Sequence, residues 1–260
     1  MKRKGLILAY HRVNSGRKDP MAVSVENFRG QMNYFYERGY SSLTLEEFST
    51  LLPHENVPQK TVVVTFDDGY RDNYLCAFPI LKHFGFRGTI FLTSDYIGKN
   101  DVFPMDKDKN WDKVMDEDLP LTWEQVLEMK EYGMEFGSHT CSHWHLDELP
   151  EMEMVREIVE SKRYLEQKLR SRVTSFCYPS GRYNQKVKEA VREAGYIAAV
   201  VTPRHGQLNE DLYSLKRVGI YNNDSGWRFR VKISSFFAVF RDSGLLFQLK
   251  KKYPSAIVQP

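Results

Sequence analysis

The parts of this 260-residue sequence whose types and spacing could do chemistry are two adjacent carboxylates, two histidines four residues apart, and a Pro-Ser-Gly turn. Asp67 and Asp68 follow the apolar run Thr61–Phe66 and precede Gly69 and Tyr70. Neighbouring side chains on an extended chain point opposite ways, but a turn at Gly69 can bring both carboxylates to one cavity. One could then bind a metal while the other stays free as a base. Aspartate is also favoured as a helix N-cap, and an isolated Asp-Asp-Gly fits that role equally well. His139 and His143 follow the run Met134–Gly137. Four apart on a helical turn, two imidazoles meet on one face and can grip one divalent ion. A lone buried histidine is more often a satisfied core residue, but a pair at this spacing is harder to explain that way. With Asp68 the set becomes two nitrogens and one oxygen, which suits zinc and leaves positions open for water and substrate. His145 points elsewhere on such a turn and is left out of the set. In Phe176-Cys177-Tyr178-Pro179-Ser180-Gly181, a rigid turn can aim backbone N–H groups at a developing oxyanion, with the Ser180 amide as the expected donor. An ordinary strand-to-helix turn with Asn184 capping the next helix accounts for the same residues.

These residues need elements that bring them together. Short apolar runs alternate with amphipathic helical patterns, the pattern of repeated βα units in a parallel sheet or barrel. The predicted strands, about seven, are Gly5–Tyr10, Thr61–Phe66, Gly88–Thr93, Met134–Gly137, Ser175–Tyr178, Ile197–Val201 and Leu215–Gly219. The chemical residues all follow strand C-terminal ends, the functional face of such architectures. Thr44-Leu-Glu-Glu47 and Thr122-Trp-Glu-Gln125 read as capping boxes that start helices. Phe28, Met32 and Phe35 form one core-facing stripe, and Val155, Ile158, Leu165 and Leu169 another. Residues 96–120 read as a long insertion after the third strand, the kind of loop that is commonly functional or mobile. A basic-aromatic tail, residues 227–260, is expected to pack on the barrel, with surface association to a membrane as the alternative.

Composition narrows the partners. At 42% hydrophobic and 27% charged, the chain can bury a sizeable core. A formal charge of +3, without zinc-finger spacing or an aromatic-interleaved basic stripe, argues against nucleic acid. Neither a signal-peptide core nor a membrane-spanning stretch is legible. Three cysteines at unrelated spacings, Cys76, Cys141 and Cys177, suit a reducing compartment. The expected location is cytoplasmic or peripheral to a membrane.

The order and spacing of Thr65-Phe66-Asp67-Asp68-Gly69, Ser138-His139-Thr140-x-x-His143 and Phe176-x-Tyr178-Pro179-x-Gly181 resemble the polysaccharide deacetylase family, the NodB homology domain. The resemblance runs from about Leu8 to Val218 and takes in Tyr10-His11-Arg12-Val13 and Gly88-Thr89-Ile90-Phe91-Leu92. The subgroup it suggests includes exopolysaccharide deacetylases. It implies an α/β fold, a distorted (β/α)-barrel forming a single domain over residues 1–226, and deacetylation of N-acetylglucosamine-containing glycans. Asp67 becomes the catalytic base, and Asp68, His139 and His143 hold a divalent ion, zinc being expected. Tyr70, Tyr178, Pro179 and Arg217 are expected near the substrate. Two departures stand out. Many members have Arg where Cys177 stands, to orient the base, and a late Leu-x-His element that supplies the general acid; this sequence shows neither. His11, beyond the first strand, offers a substitute acid, and Arg217 could take over the orienting charge. The rival readings are a metal amidohydrolase acting on a small non-sugar amide and an inactive glycan-binding module.

Overall fold

The computed structural model describes residues 5–14, 19–109, 113–203 and 211–234. Strand β1 (Gly5–Tyr10) leads to the short strands β2 (Arg12–Asn14) and β3 (Ala22–Ser24), helix α1 (Val25–Glu37), β4 (Ser41–Ser42), α2 (Leu45–Leu51) and β5 (Thr61–Phe66). The alternation continues through α3 (Phe78–His83), β6 (Gly88–Leu92), α4 (Trp123–Tyr132), β7 (Glu135–Ser138), α5 (Glu151–Leu169), β8 (Ser175–Cys177), α6 (Gln185–Glu193) and β9 (Ala198–Val201). Then come β10 (Leu215–Lys216), β11 (Val218–Gly219) and α7 (Gly226–Ile233).

The main sheet runs β10-β9-β8-β7-β6-β5-β1-β11, every pairing parallel, with β4 added beside β5. The predicted strand Leu215–Gly219 is therefore two. Its first half pairs with β9 and its second with β1, and Arg217 alone lies between them. One extended segment thus serves both edges in succession, and the sheet nearly closes into a barrel of seven staves, the distorted α/β barrel expected. β2, β3 and β4 are too short for any sequence periodicity to mark them.

Alternate residues along the strands fall into two cores, as the two-residue period of a strand requires. Leu8, Tyr10, Val62, Val64, Ile90 and Phe176 pack outward against the helices, with Phe28, Met32 and Phe35 of α1 as predicted. Ile7, Val63, Phe91, Cys177, Val200 and Leu215 face inward with Leu45 and Phe48 of α2, which plugs the N-terminal end. Both capping boxes are present and reciprocal. On α5 the buried stripe is Met154, Ile158, Ser161, Leu165 and Leu169; Val155, predicted within it, is 39% exposed. The helix is turned so that Ser161 reaches Ser138 of β7, Oγ to Oγ 2.8 Å, a polar contact that a purely apolar pattern does not weigh.

The insertion is fastened to the Asp-Asp-Gly turn. Arg71 N–H donates to Leu119 at 2.7 Å and Leu121 N–H to Gly69 at 2.9 Å. Arg71 also pairs with Asp116, and Arg12 with Asp118. On α7, Phe229 packs edge-on against Tyr34 and Phe35. The part of the predicted tail beyond Ser234 lies outside the described residues. Among the described residues, no helix is long and apolar enough to cross a membrane.

Candidate active site

β1 and β5 pair in register through Tyr10 and Phe66, and the next residue, Asp67, donates its N–H to the Tyr10 carbonyl at 2.9 Å. β7 and β8 meet at Ser138 and Phe176, so His139 and Cys177 emerge at one level. The site therefore caps the inward-facing stack of the barrel at its C-terminal end, on the rim expected.

The chain turns sharply after Asp67. Asp68 (φ 72°) and Gly69 (φ 88°) both adopt the left-handed region. A Cβ at Gly69 would come within 2.8 Å of Leu92 Cδ2 and 2.9 Å of Ile97 Cδ1, so position 69 needs glycine for space as well as conformation. The turn separates the two carboxylates as the sequence suggested. Asp67 faces the barrel interior, where Arg217 holds it by two parallel bonds: Nη1 to Oδ1 2.7 Å and Nη2 to Oδ2 2.6 Å. Both partners are almost wholly buried. Burial alone would raise the Asp67 carboxyl, but the Arg217 guanidinium outweighs it and holds the group well below the usual carboxylate range. Cys177 Sγ lies 3.5 Å from Asp67 Oδ1 and 3.2 Å from Arg217 Nη2, and burial keeps it a thiol. Arg217 thus reaches Asp67 from the closing stave, past the Cys177 position where many members of the resembled family carry their arginine.

Asp68 Oδ1 is buried, makes no hydrogen bond, and lies 3.5 Å from His139 Nε2 and 3.5 Å from His143 Nε2. The His139 Nδ1–H donates to the Cys177 carbonyl at 2.8 Å, which fixes the tautomer and leaves the Nε2 lone pair facing Asp68. Burial lowers His139 to about 3 and also lowers His143, so both rings are neutral. A buried carboxylate oxygen without a donor, met by two imidazole Nε2 atoms, is a donor set that fits a divalent cation. The three ligand atoms lie within 4.8 Å of one another.

The histidine spacing works differently from the prediction. Residues 139–143 form a loop, not a helical turn, with Thr140 (φ 69°) and His143 (φ 66°) both left-handed. The loop is held by side chains: His143 N–H donates to Thr140 Oγ1 at 2.9 Å, and the Glu157 carboxylate accepts from Cys141 N–H (3.0 Å), Ser142 N–H (2.9 Å) and Ser142 Oγ (2.6 Å). Glu157, on α5, had no sequence signal beyond its place on a charged helix. Its conversion to Ala is expected to weaken cation binding by about 10- to 100-fold through the loosened loop, read by calorimetric titration.

His11 Nε2 is 3.7 Å from Asp67 Oδ2 and its side chain is 21% exposed, beside Asp67 and open to the rim. Ser180 is left-handed at φ 56°, and its Oγ meets His145 Nε2 at 3.1 Å, so His145 stays apart from the ligand set as expected. Two residues expected near the substrate are committed elsewhere. Tyr70 is 3% exposed and its hydroxyl donates to Asp106 at 2.8 Å, anchoring the insertion. Tyr178 is 1% exposed, donates to the Tyr213 carbonyl at 3.0 Å and stacks on Tyr183. Pro179 is buried in the turn.

Burial, reinforced by the neighbouring Asp67, raises Asp68 to about 7 when no cation is present. A proton then competes with the cation for that oxygen, while His139, already neutral, releases none. Cation affinity is therefore expected to fall about tenfold per pH unit below 7 and to level off above it, measured by titration between pH 5.5 and 8.5. A flat profile would place the bound proton elsewhere.

The chain is similar to known polysaccharide deacetylases. The sequence signature described as Polysaccharide deacetylase matches residues 54–199. The chain is 33% identical over 231 residues to YxkH of Bacillus subtilis, itself named for polysaccharide deacetylases, covering 88% of this chain and 76% of that protein. It is 28% identical to the poly-β-1,6-N-acetyl-D-glucosamine N-deacetylase of Escherichia coli over 84% of this chain, but spans only 37% of that protein. Among solved structures, the Streptococcus pyogenes deacetylase PplD in complex with acetate superposes with a TM-score of 0.75 at 28% identity, covering 89% of this chain and 99% of that one.

Proposed function

Because the chain belongs to the polysaccharide deacetylase family, we propose that it hydrolyses the acetamide of N-acetylglucosamine units in a polysaccharide or glycan precursor, with zinc as its cation. The observation that carries this reading is the unpartnered Asp68 Oδ1 between two imidazole Nε2 atoms, beside a second carboxylate clamped by arginine.

Asp68, His139 and His143 are the proposed ligands. The cation, when bound, supplies Lewis-acid polarisation of the acetamide carbonyl and lowers the pKa of the attacking water. Asp67 accepts that water's proton on Oδ2, while Arg217 keeps the carboxylate oriented and charged. As the C–O bond forms, the Ser180 N–H is the proposed donor to the oxyanion. When the C–N bond breaks, His11 Nε2 delivers a proton to the departing amine, releasing acetate and a free amine. The position of His11 beside Asp67 supports this, and no late Leu-x-His element competes for the role. His11→Gln is expected to lower kcat by about 10²- to 10⁴-fold while cation affinity stays near wild type, since no ligand changes.

The reading is tested by acetate release from N-acetylglucosamine oligomers after chelation, with and without restored zinc. Cation-dependent release would support it. Turnover confined to small non-sugar amides would replace it with the amidohydrolase alternative, and binding without turnover by the cation-loaded protein would indicate an inactive module.

A further inference from the structure

β7 and β8 pair at Ser138 and Phe176, but the groups that would act together on one acetamide oxygen lie past the strand ends, in different loops. The candidate ligands His139 and His143 belong to the loop after β7, and the Ser180 amide to the turn after β8. Side chains tie these loops together. His145 Nε2 lies 3.1 Å from Ser180 Oγ, and because a hydroxyl can donate or accept, either tautomer of the ring makes this bond. Arg182, in the same turn, grips the histidine loop further along: Nη2 reaches Asp147 Oδ2 at 3.0 Å and Glu148 Oε1 at 2.6 Å.

The His145 end of the tie is firmly seated. Its carbonyl accepts from Glu148 N–H at 3.0 Å, its Nδ1 lies 3.3 Å from Glu148 Oε2, and the next residue, Leu146, is buried in the core. The Ser180 end needs holding. Ser180 (φ 56°) and Gly181 (φ 65°) are both left-handed, a region that costs free energy for any residue with a Cβ. Gly181 suits it, and a Cβ there would come within 2.7 Å of the Thr202 carbonyl oxygen. Serine does not, so its conformation has to be imposed by what surrounds it. Rotation about φ turns the N–H of a residue relative to its side chain, so a fixed Oγ also fixes where the amide points.

We propose that His145 is a positioning residue: by holding Ser180 Oγ it keeps the Ser180 amide trained on the acetamide oxygen, in register with the histidine loop. The inference rests on the function proposed above, and it gives a role to the histidine that the ligand set leaves out.

The test uses zinc-restored wild type, His145→Ala, Ser180→Ala and the double variant, with kcat and KM measured on N-acetylglucosamine oligomers. The His145 side chain is 39% exposed, so its truncation leaves the core intact. His145→Ala is expected to lower kcat by about 10- to 100-fold, within the cost of a lost or misaimed oxyanion donor, with KM and zinc affinity within about twofold of wild type. Ser180→Ala keeps the amide but loses the Oγ, so it should match His145→Ala, and the double variant should be no worse than either. His145→Gln, whose side-chain amide can reach the same hydroxyl, should recover most of the rate. Losses that multiply in the double variant, or a raised KM at unchanged kcat, would overturn the inference and leave the deacetylase reading intact. Hydrogen exchange supplies a readout free of turnover. Gly181 N–H donates to the Tyr178 carbonyl at 2.9 Å and Arg182 N–H to the Pro179 carbonyl at 3.1 Å, and both should exchange about tenfold faster in His145→Ala. Absence of wild-type turnover would overturn the deacetylase reading; faster exchange would then still support the hold of His145 on the turn, and unchanged exchange would overturn that too.

Discussion

Asp67→Asn is expected to lower acetate release by about 10²- to 10⁴-fold, the scale of a lost general base, while zinc affinity stays within about twofold of wild type. The substitution leaves Asp68, His139 and His143 untouched, and both Asp67 oxygens are engaged by Arg217. Asparagine retains one oxygen to accept from Arg217, but its amide nitrogen meets a guanidinium N–H donor to donor, and it cannot take a proton from water. Parallel titrations with zinc and acetate assays separate the two roles of the carboxylates. Loss of binding together with activity would mean that Asp67 belongs to the ligand set. Turnover within tenfold of wild type would remove it from the chemistry.

The second large effect is on stability. Arg217→Met strands a buried carboxylate, and breaking such a pair typically costs about 3–5 kcal/mol. The sign of its pH dependence follows from the shifts. In wild type the Asp67 carboxyl is depressed below its unfolded value, so its contribution is present above that value and is lost only as pH falls through the depressed one. Without the guanidinium, burial raises the same carboxyl, and the variant loses stability as pH rises toward neutrality. The gap between the proteins should therefore be widest near pH 7 and narrow toward pH 4.5. Urea unfolding at the two pH values measures it. Equal gaps would trace the loss to packing rather than charge. Arg217→Lys should recover part of the stability, because an ammonium restores the charge but not the two-pronged grip.

Most of the barrel was legible in the sequence because most of its staves are short apolar runs bounded by turn signals, as at Thr61–Phe66 and Gly88–Leu92. The candidate ligands were legible from residue type and from their position after strands. The path between the histidines was not, because two left-handed non-glycine residues and a carboxylate from α5 shape that loop, and none of these leaves a periodic trace. Val155 lies off the buried face because Met154, one residue earlier, continues the stripe of Ile158, Leu165 and Leu169, and the apolar pattern alone does not choose between the two neighbours. Arg217 could be suspected only by its place at a strand end. Its grip on Asp67 joins residues 150 positions apart and depends on how the sheet closes.

That closure also fixes when the enzyme can first exist. A ribosome delivers β1 and β5 through β9 before it reaches Leu215, so the nascent chain can lay down six staves and bring both histidines to the rim while the barrel still has an open seam. Until residue 217 emerges from the exit tunnel, Asp67 has no guanidinium to face, and a buried anion with no partner resists the final collapse. Seam closure and the pairing of Asp67 with Arg217 are thus a single late event in biogenesis. A messenger broken upstream of that codon would yield a product lacking both, its seam unclosed and Asp67 without its guanidinium.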